Sequence, residues 1–308
     1  MGRRNRKGRN VTGIIIIDKP TGRSSNHVLQ QVKRLFDAKK AGHTGSLDPL
    51  ATGVLPICLG EATKLSTYML DGDKRYHVTC QLGVITDSGD SDGVVLEQLA
   101  IPNFTAQSLE AILAQFKGQQ QQVPPMYSAL KHQGQPLYKL ARQGIEVERK
   151  RRTITIYDIQ LLAVTSDSFT LEVSCSKGTY IRTLVEDISS ALNTGGHVVM
   201  LRRVSSAGYD LSDAVTLHEL ETIAEDNLTA LDGQLLASEN ALPKWPSIVI
   251  DDQQVDALRL GQSIQVPDVF SSANIRLFDQ QKIFLGLGEM TESGTVSPKR
   301  VFVVDQEA

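Results

Sequence analysis

Residues 41–64 read AGHTGSLDPLATGVLPICLGEATK. The stretch mixes four glycines and two prolines with short apolar steps and is neither helix nor regular strand over its first half, while 54–59 predicts a buried strand and 61–70 the start of a helix. Pro49 pushes the residue before it out of the α region, so Asp48 takes an extended or turn position. An aspartate there most often accepts a local backbone hydrogen bond or caps a turn. In a glycine-rich loop hemmed between apolar elements, the carboxylate is also fixed and partly desolvated, which suits a nucleophile or general base. The loop is no phosphate cradle: the chain contains neither G-x-x-x-x-G-K-[ST] nor G-x-G-x-x-G, which removes support for a nucleoside triphosphate or dinucleotide cofactor.

Upstream, residues 1–10 carry five basic and no acidic side chains, a solvated start or an arm laid against phosphates. Ile14 to Ile17 reads as a buried strand that ends in the turn cluster 18–22. Ser24, Ser25 and Asn26 are N-cap types ahead of Val28, Leu29, Val32, Leu35 and Phe36 at helical spacing. Downstream, strands are expected over 75–82 and 93–98, joined by an acidic loop at 87–92. A helix through Leu109, Ile112, Leu113 and Phe116 is closed by Gly118. Residues 119–152 are polar and read as an insertion leaning out of the core, with a short helix at 137–142 and a basic run at 149–152. Strands over 153–164 and 168–175 precede a helix through Ile181, Leu184, Val185, Ile188 and Leu192, ended by Gly195 and Gly196. A strand over 197–209 follows. Pro243 and Pro246 flank Trp245 like a linker, and 247–308 reads as short strands with turns. The expectation is an α+β chain with three parts: a basic arm at 1–10, a catalytic domain at 11–246 and a small β-rich domain at 247–308.

The 308 residues hold 32 basic and 35 acidic side chains, a net −3. Split at Gly208, the first part has 26 basic against 18 acidic, net +8, and the rest 6 against 17, net −11. Such asymmetry points to an anionic partner held by the first part. At 41% hydrophobic and 22% charged, the composition excludes disorder and collagen-like structure. No apolar run approaches the roughly 20 residues that span a bilayer, and the basic start lacks the apolar core of a secretory signal. Cys58, Cys80 and Cys175 are odd in number and widely spaced, which fits reduced thiols in a cytoplasm. With no Cys-x-x-Cys or His-x-x-x-His pairing, no metal site is expected.

Tyr76 heads a strand, where a tyrosine either packs in the sheet or offers its face to an unstacked base. Arg182 has apolar neighbours at helical spacing. It either makes a surface salt bridge or points inward, where it needs a carboxylate or phosphate.

Five motifs occur in order between residue 12 and about residue 210. They are Asp18-Lys19-Pro20-x-Gly22-x-Ser24-Ser25, the unbroken block from Gly42 to Pro56, Lys74-Arg75-Tyr76, Pro124-Pro125-x-Tyr127-Ser128-Ala129-Leu130-Lys131, and Lys177-Gly178-Thr179-Tyr180-Ile181-Arg182. With these the chain resembles the TruB-type tRNA pseudouridine-55 synthases. The resemblance implies a large, mainly antiparallel mixed sheet with flanking helices and a cleft, and no metal or organic cofactor. A small PUA-like RNA-binding module stands where this chain has Ala-Leu-Arg-Leu-Gly at 257–261. Asp48 falls on the family's essential aspartate, Tyr76 on the tyrosine that stacks on the target base, and Arg182 on the arginine that pairs with the aspartate. His43 matches the histidine that fills the gap left by the flipped nucleotide, Leu201 an apolar wall, and Tyr180 a further substrate-binding position. Lys19 and Lys64 take supporting roles.

The implied reaction converts uridine 55 in the tRNA T-loop to pseudouridine by flipping the base, breaking N1–C1′ and making C5–C1′. The carboxylate adds to C1′ or to C6, or assists a glycal route. Arg182 should keep it ionised and aimed. Base flipping costs a few kcal/mol, part of which stacking by His43 offsets. The basic stretches 3–9, 33–40 and 149–152 become phosphate contacts and 119–152 a clamp. The expected partner is the tRNA T-arm, bound by a cytoplasmic monomer with no membrane and no obligatory protein partner. The acidic C-terminal part departs from the family pattern and weighs against RNA contact there. A non-catalytic RNA-binding protein on the same scaffold, or an RNA-guided relative working with partner proteins, would share the block but not activity of the isolated chain on bare tRNA.

Overall fold

The structure, a computed structural model, describes residues 8–267 and 274–303. Strand β1 (Gly13–Lys19) contains the four isoleucines and is buried on both faces. Ile15 and Ile17 pack against one set of helices, Ile14 and Ile16 against another cluster below. A strand sandwiched in this way has no solvent face, which explains a continuous apolar run instead of alternation. Ser24 caps helix α1 (Ser25–Leu35) by accepting from the His27 N–H, and Val28, Leu29 and Val32 turn inward. Strands β2 (Ala41–His43) and β3 (Thr52–Leu59) pair antiparallel and carry the 44–51 loop between them. The helix expected at 61–70 is a 3-10 turn, Gly60–Leu65, followed by the short α2 (Ser66–Leu70).

Strand β4 (Lys74–Leu82) alternates buried and part-exposed side chains throughout. Strands β5 (Val84–Thr86) and β6 (Val95–Gln98) form a separate hairpin that closes the acidic loop. Helix α3 (Ala106–Gln115) stops at Phe116, so Gly118 does not cap it. Gly118 opens β7 (Gly118–Gln122), whose glutamines pair with 152–155 at the sheet edge. An edge strand needs no apolar alternation on its open side, so this polar run reads as loop in sequence. The segment that leaves the sheet is therefore 123–151, with β8 (Lys131–His132), β9 (Gln135–Pro136) and α4 (Leu137–Ala141). Strands β10 (Arg152–Val164) and β11 (Ser168–Cys175), helix α5 (Ile181–Ala191) and strand β12 (Gly196–Ser206) follow. Helix α5 ends at Leu192, and Gly196 lets β12 press against it: a Cβ there would lie 2.1 Å from Ser189 Oγ.

After β13 (Tyr209–Asp210), β14 (Val215–Thr216), α6 (Leu217–Asp226) and α7 (Leu228–Asp232), the ten-stranded sheet is complete. Its main order is β14-β1-β3-β12-β4-β11-β10-β7. Within this sheet, among the described residues, only the β1/β14 and β3/β12 strand pairs run parallel. Helices α3 and α5 cover one end of the sheet and α1 and α6 the other. Cys58, Cys80 and Cys175 are buried free thiols.

Gly53 sits at the β3/β12 crossing with φ +101°, and a Cβ there would lie 2.2 Å from the Arg203 carbonyl oxygen. Gly53→Ala is therefore expected to destabilise the fold by about 2–4 kcal/mol, read as a lowered denaturant midpoint. A midpoint matching the wild type would refute the close approach.

The C-terminal part is a five-stranded sheet, β15 (Ser247–Val249), β16 (Ile264–Gln265), β17 (Asn274–Phe278), β18 (Phe284–Met290) and β19 (Thr295–Val301), with α8 (Asp252–Arg259). It is seated on the first part through Phe284, Leu287 and Phe302, which pack beneath Ile14, Ile16 and Val54. Trp245 is no free linker: its ring meets Tyr68 edge-on at 5.1 Å. Residues 1–7 of the basic arm lie outside the described residues. Arg9 is described, and its guanidinium forks onto Asp232 at 2.8 and 2.9 Å, so it clips the chain together.

Candidate active site

The 44–51 loop is held from behind by contacts that leave its front open. Ser25 Oγ donates to the Leu47 carbonyl at 3.0 Å and accepts from the Leu47 N–H at 2.7 Å. Lys19, with none of its surface exposed, donates Nζ to the carbonyls of Arg23 (2.6 Å), Pro20 (2.8 Å) and Pro49 (3.3 Å). Burial pushes its ammonium down to about 8, against the pull of Asp48. Arg203, reaching up from β12, donates Nε to Val54 O (2.7 Å) and Nη2 to Gly45 O (3.1 Å), spanning both ends of the loop.

So held, Asp48 turns its carboxylate to Arg182, with Oδ2 3.0 Å from Nε. This is the inward-pointing option for Arg182, with a carboxylate as its partner. Arg182 stands on the first turn of α5 and is only 4% exposed. Its Nη1 donates to Ser88 O at 2.5 Å and lies 3.5 Å from Asp90 Oδ2, and its Nη2 donates to Tyr127 O at 2.6 Å. Asp90 is itself fixed by Ser88 Oγ at 2.5 Å and the Asp92 N–H at 3.2 Å. Burial raises the Asp48 carboxyl above its ordinary value, while Arg182 pulls it down and Asp90 pushes it up. The Asp48 side chain keeps 38% of its surface open, and the guanidinium at contact distance favours its ionised form against that burial.

Asp48, Tyr76, Tyr180, Arg182 and Leu201 all line one cleft of about 320 Å³, shared with Lys74 and Arg203. Tyr76 is 8% exposed, and its hydroxyl oxygen accepts from Arg203; burial raises the phenol, so it is neutral. Tyr180 caps α5, where Gln122 of β7 brackets it: Oε1 accepts from the Tyr180 N–H at 2.8 Å and Nε2 donates to its carbonyl at 3.0 Å. The Arg152 guanidinium lies 5.5 Å from the Tyr180 ring centroid, which brings the end of the basic run next to the cleft.

Three expected residues lie outside the cleft lining: Lys19, which holds the loop from behind, His43 and Lys64. His43 ends β2, half-buried, and burial with nearby Arg203 lowers its imidazole below the ordinary value, so it is neutral. Lys64 binds Glu61 and donates to Val301 O at 2.7 Å, which places it at the seam with the C-terminal part. Asp90, Gln122 and Arg203 are the residues missed in sequence. Asp90 sits in an acidic loop that reads as solvated, and Gln122 in a run that reads as loop. Arg203 had one available signal, a charge two residues after the inward Leu201 on the same strand.

Sequence comparison decides the family. The chain is 51% identical over 295 residues to tRNA pseudouridine synthase B of Nitrosococcus oceani, covering 96% of each, and 48% identical to that of Shewanella amazonensis, covering 99% of each. The chain belongs to the TruB family. Three family profiles tile it: TruB family pseudouridylate synthase (N terminal domain) over 33–181, tRNA pseudouridylate synthase B C-terminal domain over 182–243, and Pseudouridine synthase II TruB, C-terminal over 246–302. The TruB fold also superposes on a Cbf5-Nop10-Gar1 complex with a TM-score of 0.72, at 24% identity and covering 94% of this chain and 85% of that one. Among the described residues, no group of His, Cys, Asp and Glu forms a metal-binding cluster, and no helix is long and apolar enough to cross a membrane.

Proposed function

We propose that this chain isomerises uridine 55 in the T-loop of tRNA to pseudouridine, with Asp48 as the catalytic carboxylate. The observation that carries the reading is the Asp48–Arg182 pair at 3.0 Å in a cleft walled by Tyr76 and Leu201. A flipped uracil fits between a tyrosine face and an aliphatic wall, since stacking holds a base without fixing its orientation. That freedom suits a reaction that must turn the base after N1–C1′ breaks. Asp48 adds to C1′ or C6, or assists removal of the C2′ proton in a glycal route, and the neutral Tyr76 hydroxyl is a candidate to relay that proton by giving up its own as it accepts. His43, neutral and outside the cleft, takes the place vacated in the T-loop stack. Lys19 supports the Asp48 loop, and Lys64 supports the seat of the C-terminal part.

Charge separates the two ends. The net +8 belongs to 1–208, the part that holds every cleft residue, and its basic stretches at 33–40 and 149–152 track the phosphates of the T-arm. The domain at 247–308 acts as a PUA-like module, with its acidic surface away from RNA. The reading includes action as a cytoplasmic monomer on free tRNA, with no guide RNA or protein partner.

Residues 123–151 project from the sheet beside the cleft and serve as a clamp over the T-loop. Deleting 133–144 is expected to weaken tRNA binding about tenfold while the fold survives, as measured by filter binding. Unchanged affinity and rate would rule the clamp out.

A further inference from the structure

Among the side chains lining the cleft are three cations and one carboxylate. Arg182 is balanced by Asp48 and Asp90. Arg203 and Lys74 form no ion pair: among the described residues neither has a carboxylate at contact distance, and Asp71 and Asp73 pull on Lys74 only from farther off. Both are buried, at 1% and 8% exposure. Arg203 is held by two carbonyls and the Tyr76 hydroxyl, and Lys74 by the carbonyls of Leu70, at 2.6 Å, and Gly72. Carbonyl dipoles solvate a cation without cancelling its charge. The two also repel: burial and then Arg203 bring the Lys74 ammonium down to about 8.

Buried charge without an ion partner is costly, and active sites retain it where opposite charge develops during the reaction. Heterolysis of N1–C1′ leaves the bonding pair on uracil, where it spreads from N1 onto O2 and O4. Attack by C5 on C1′ then consumes that pair; a proton leaves C5, one is gained at N1, and no atom or charge is added overall.

We propose that Arg203 and Lys74 form a cationic floor that stabilises the uracil anion between its detachment and its re-attachment. This rests on the isomerase reading above and assigns a step within it.

The test uses the full chain with Arg203→Met, Lys74→Met and Arg203→Lys, on tRNA carrying uridine or 5-fluorouridine at the target. 5-Fluorouracil is the better leaving group and needs less stabilisation. Single-turnover consumption of uridine is expected to fall about 10²–10³-fold in Arg203→Met. The Kd for tRNA should stay within about threefold. The loss should be about tenfold smaller for consumption of 5-fluorouridine, and Arg203→Lys should recover part of it. Equal losses on both substrates would mean loop positioning alone and overturn the proposal; so would weaker binding at an unchanged rate, which marks a phosphate contact. If Arg203→Met does not fold, the same comparison in Lys74→Met decides. Failure of the wild type to form pseudouridine would instead remove the isomerase reading itself.

Discussion

Asp48→Asn is expected to lower the single-turnover rate of pseudouridine formation by about 10⁴-fold or more, the scale on which loss of a reacting group acts. The substitution keeps the side chain's size and leaves the backbone contacts of the loop intact, because Ser25, Lys19 and Arg203 hold it through Leu47, Pro49, Gly45 and Val54 and not through the carboxylate. Thermal stability and tRNA affinity should therefore stay near those of the wild type. An amide retains no anionic oxygen to add to C1′ or C6. Product formation within tenfold of the wild type would show that the carboxylate only shapes the loop.

Arg182→Met should fail in two measurements at once. The arginine carries the only guanidinium reaching both Asp48 and Asp90 among the described residues, and Asp90 is 6% exposed at its side chain. Removing it strands a buried carboxylate, at a cost of about 3–5 kcal/mol in unfolding free energy. It also releases Ser88 O and Tyr127 O, which tie the acidic loop and the projecting segment to α5. Activity should fall to near that of Asp48→Asn, because Asp48 loses its aim. Arg182→Lys keeps the charge but not the fork, and should recover stability more than rate. A variant with wild-type stability and rate would show that the buried network holds neither the fold nor the carboxylate.

Local chemistry made the centre of this site legible in sequence. Pro49 sets the backbone at Asp48, Ser24 caps α1, and the strict alternation in β4 puts Tyr76 inward. Arg182 was readable as an inward charge because α5 places apolar residues around it. Its choice of partner was not, since Asp90 comes from a loop 92 residues earlier and acquires its role only when Ser88 and Asp92 fix it. Gln122 escaped because a polar edge strand has no periodic signal, and its grip on Tyr180 spans 58 residues. Lys64 illustrates the converse: its motif position is plain, but the partner, Val301 O, belongs to the C-terminal sheet 237 residues away. The charge split survives as the broadest clue. Every cleft residue lies in the basic part, and the acidic part meets it through a seam of Phe284, Leu287 and Phe302 packed beneath β1.

The most direct measurement is to incubate the purified chain alone with an unmodified tRNA transcript, without metal, cofactor or guide RNA, and to map pseudouridine along the RNA. A single modified site at position 55 of the T-loop, absent with Asp48→Asn, is the expected result. A wild-type chain that binds the transcript but leaves that uridine unchanged would contradict the account.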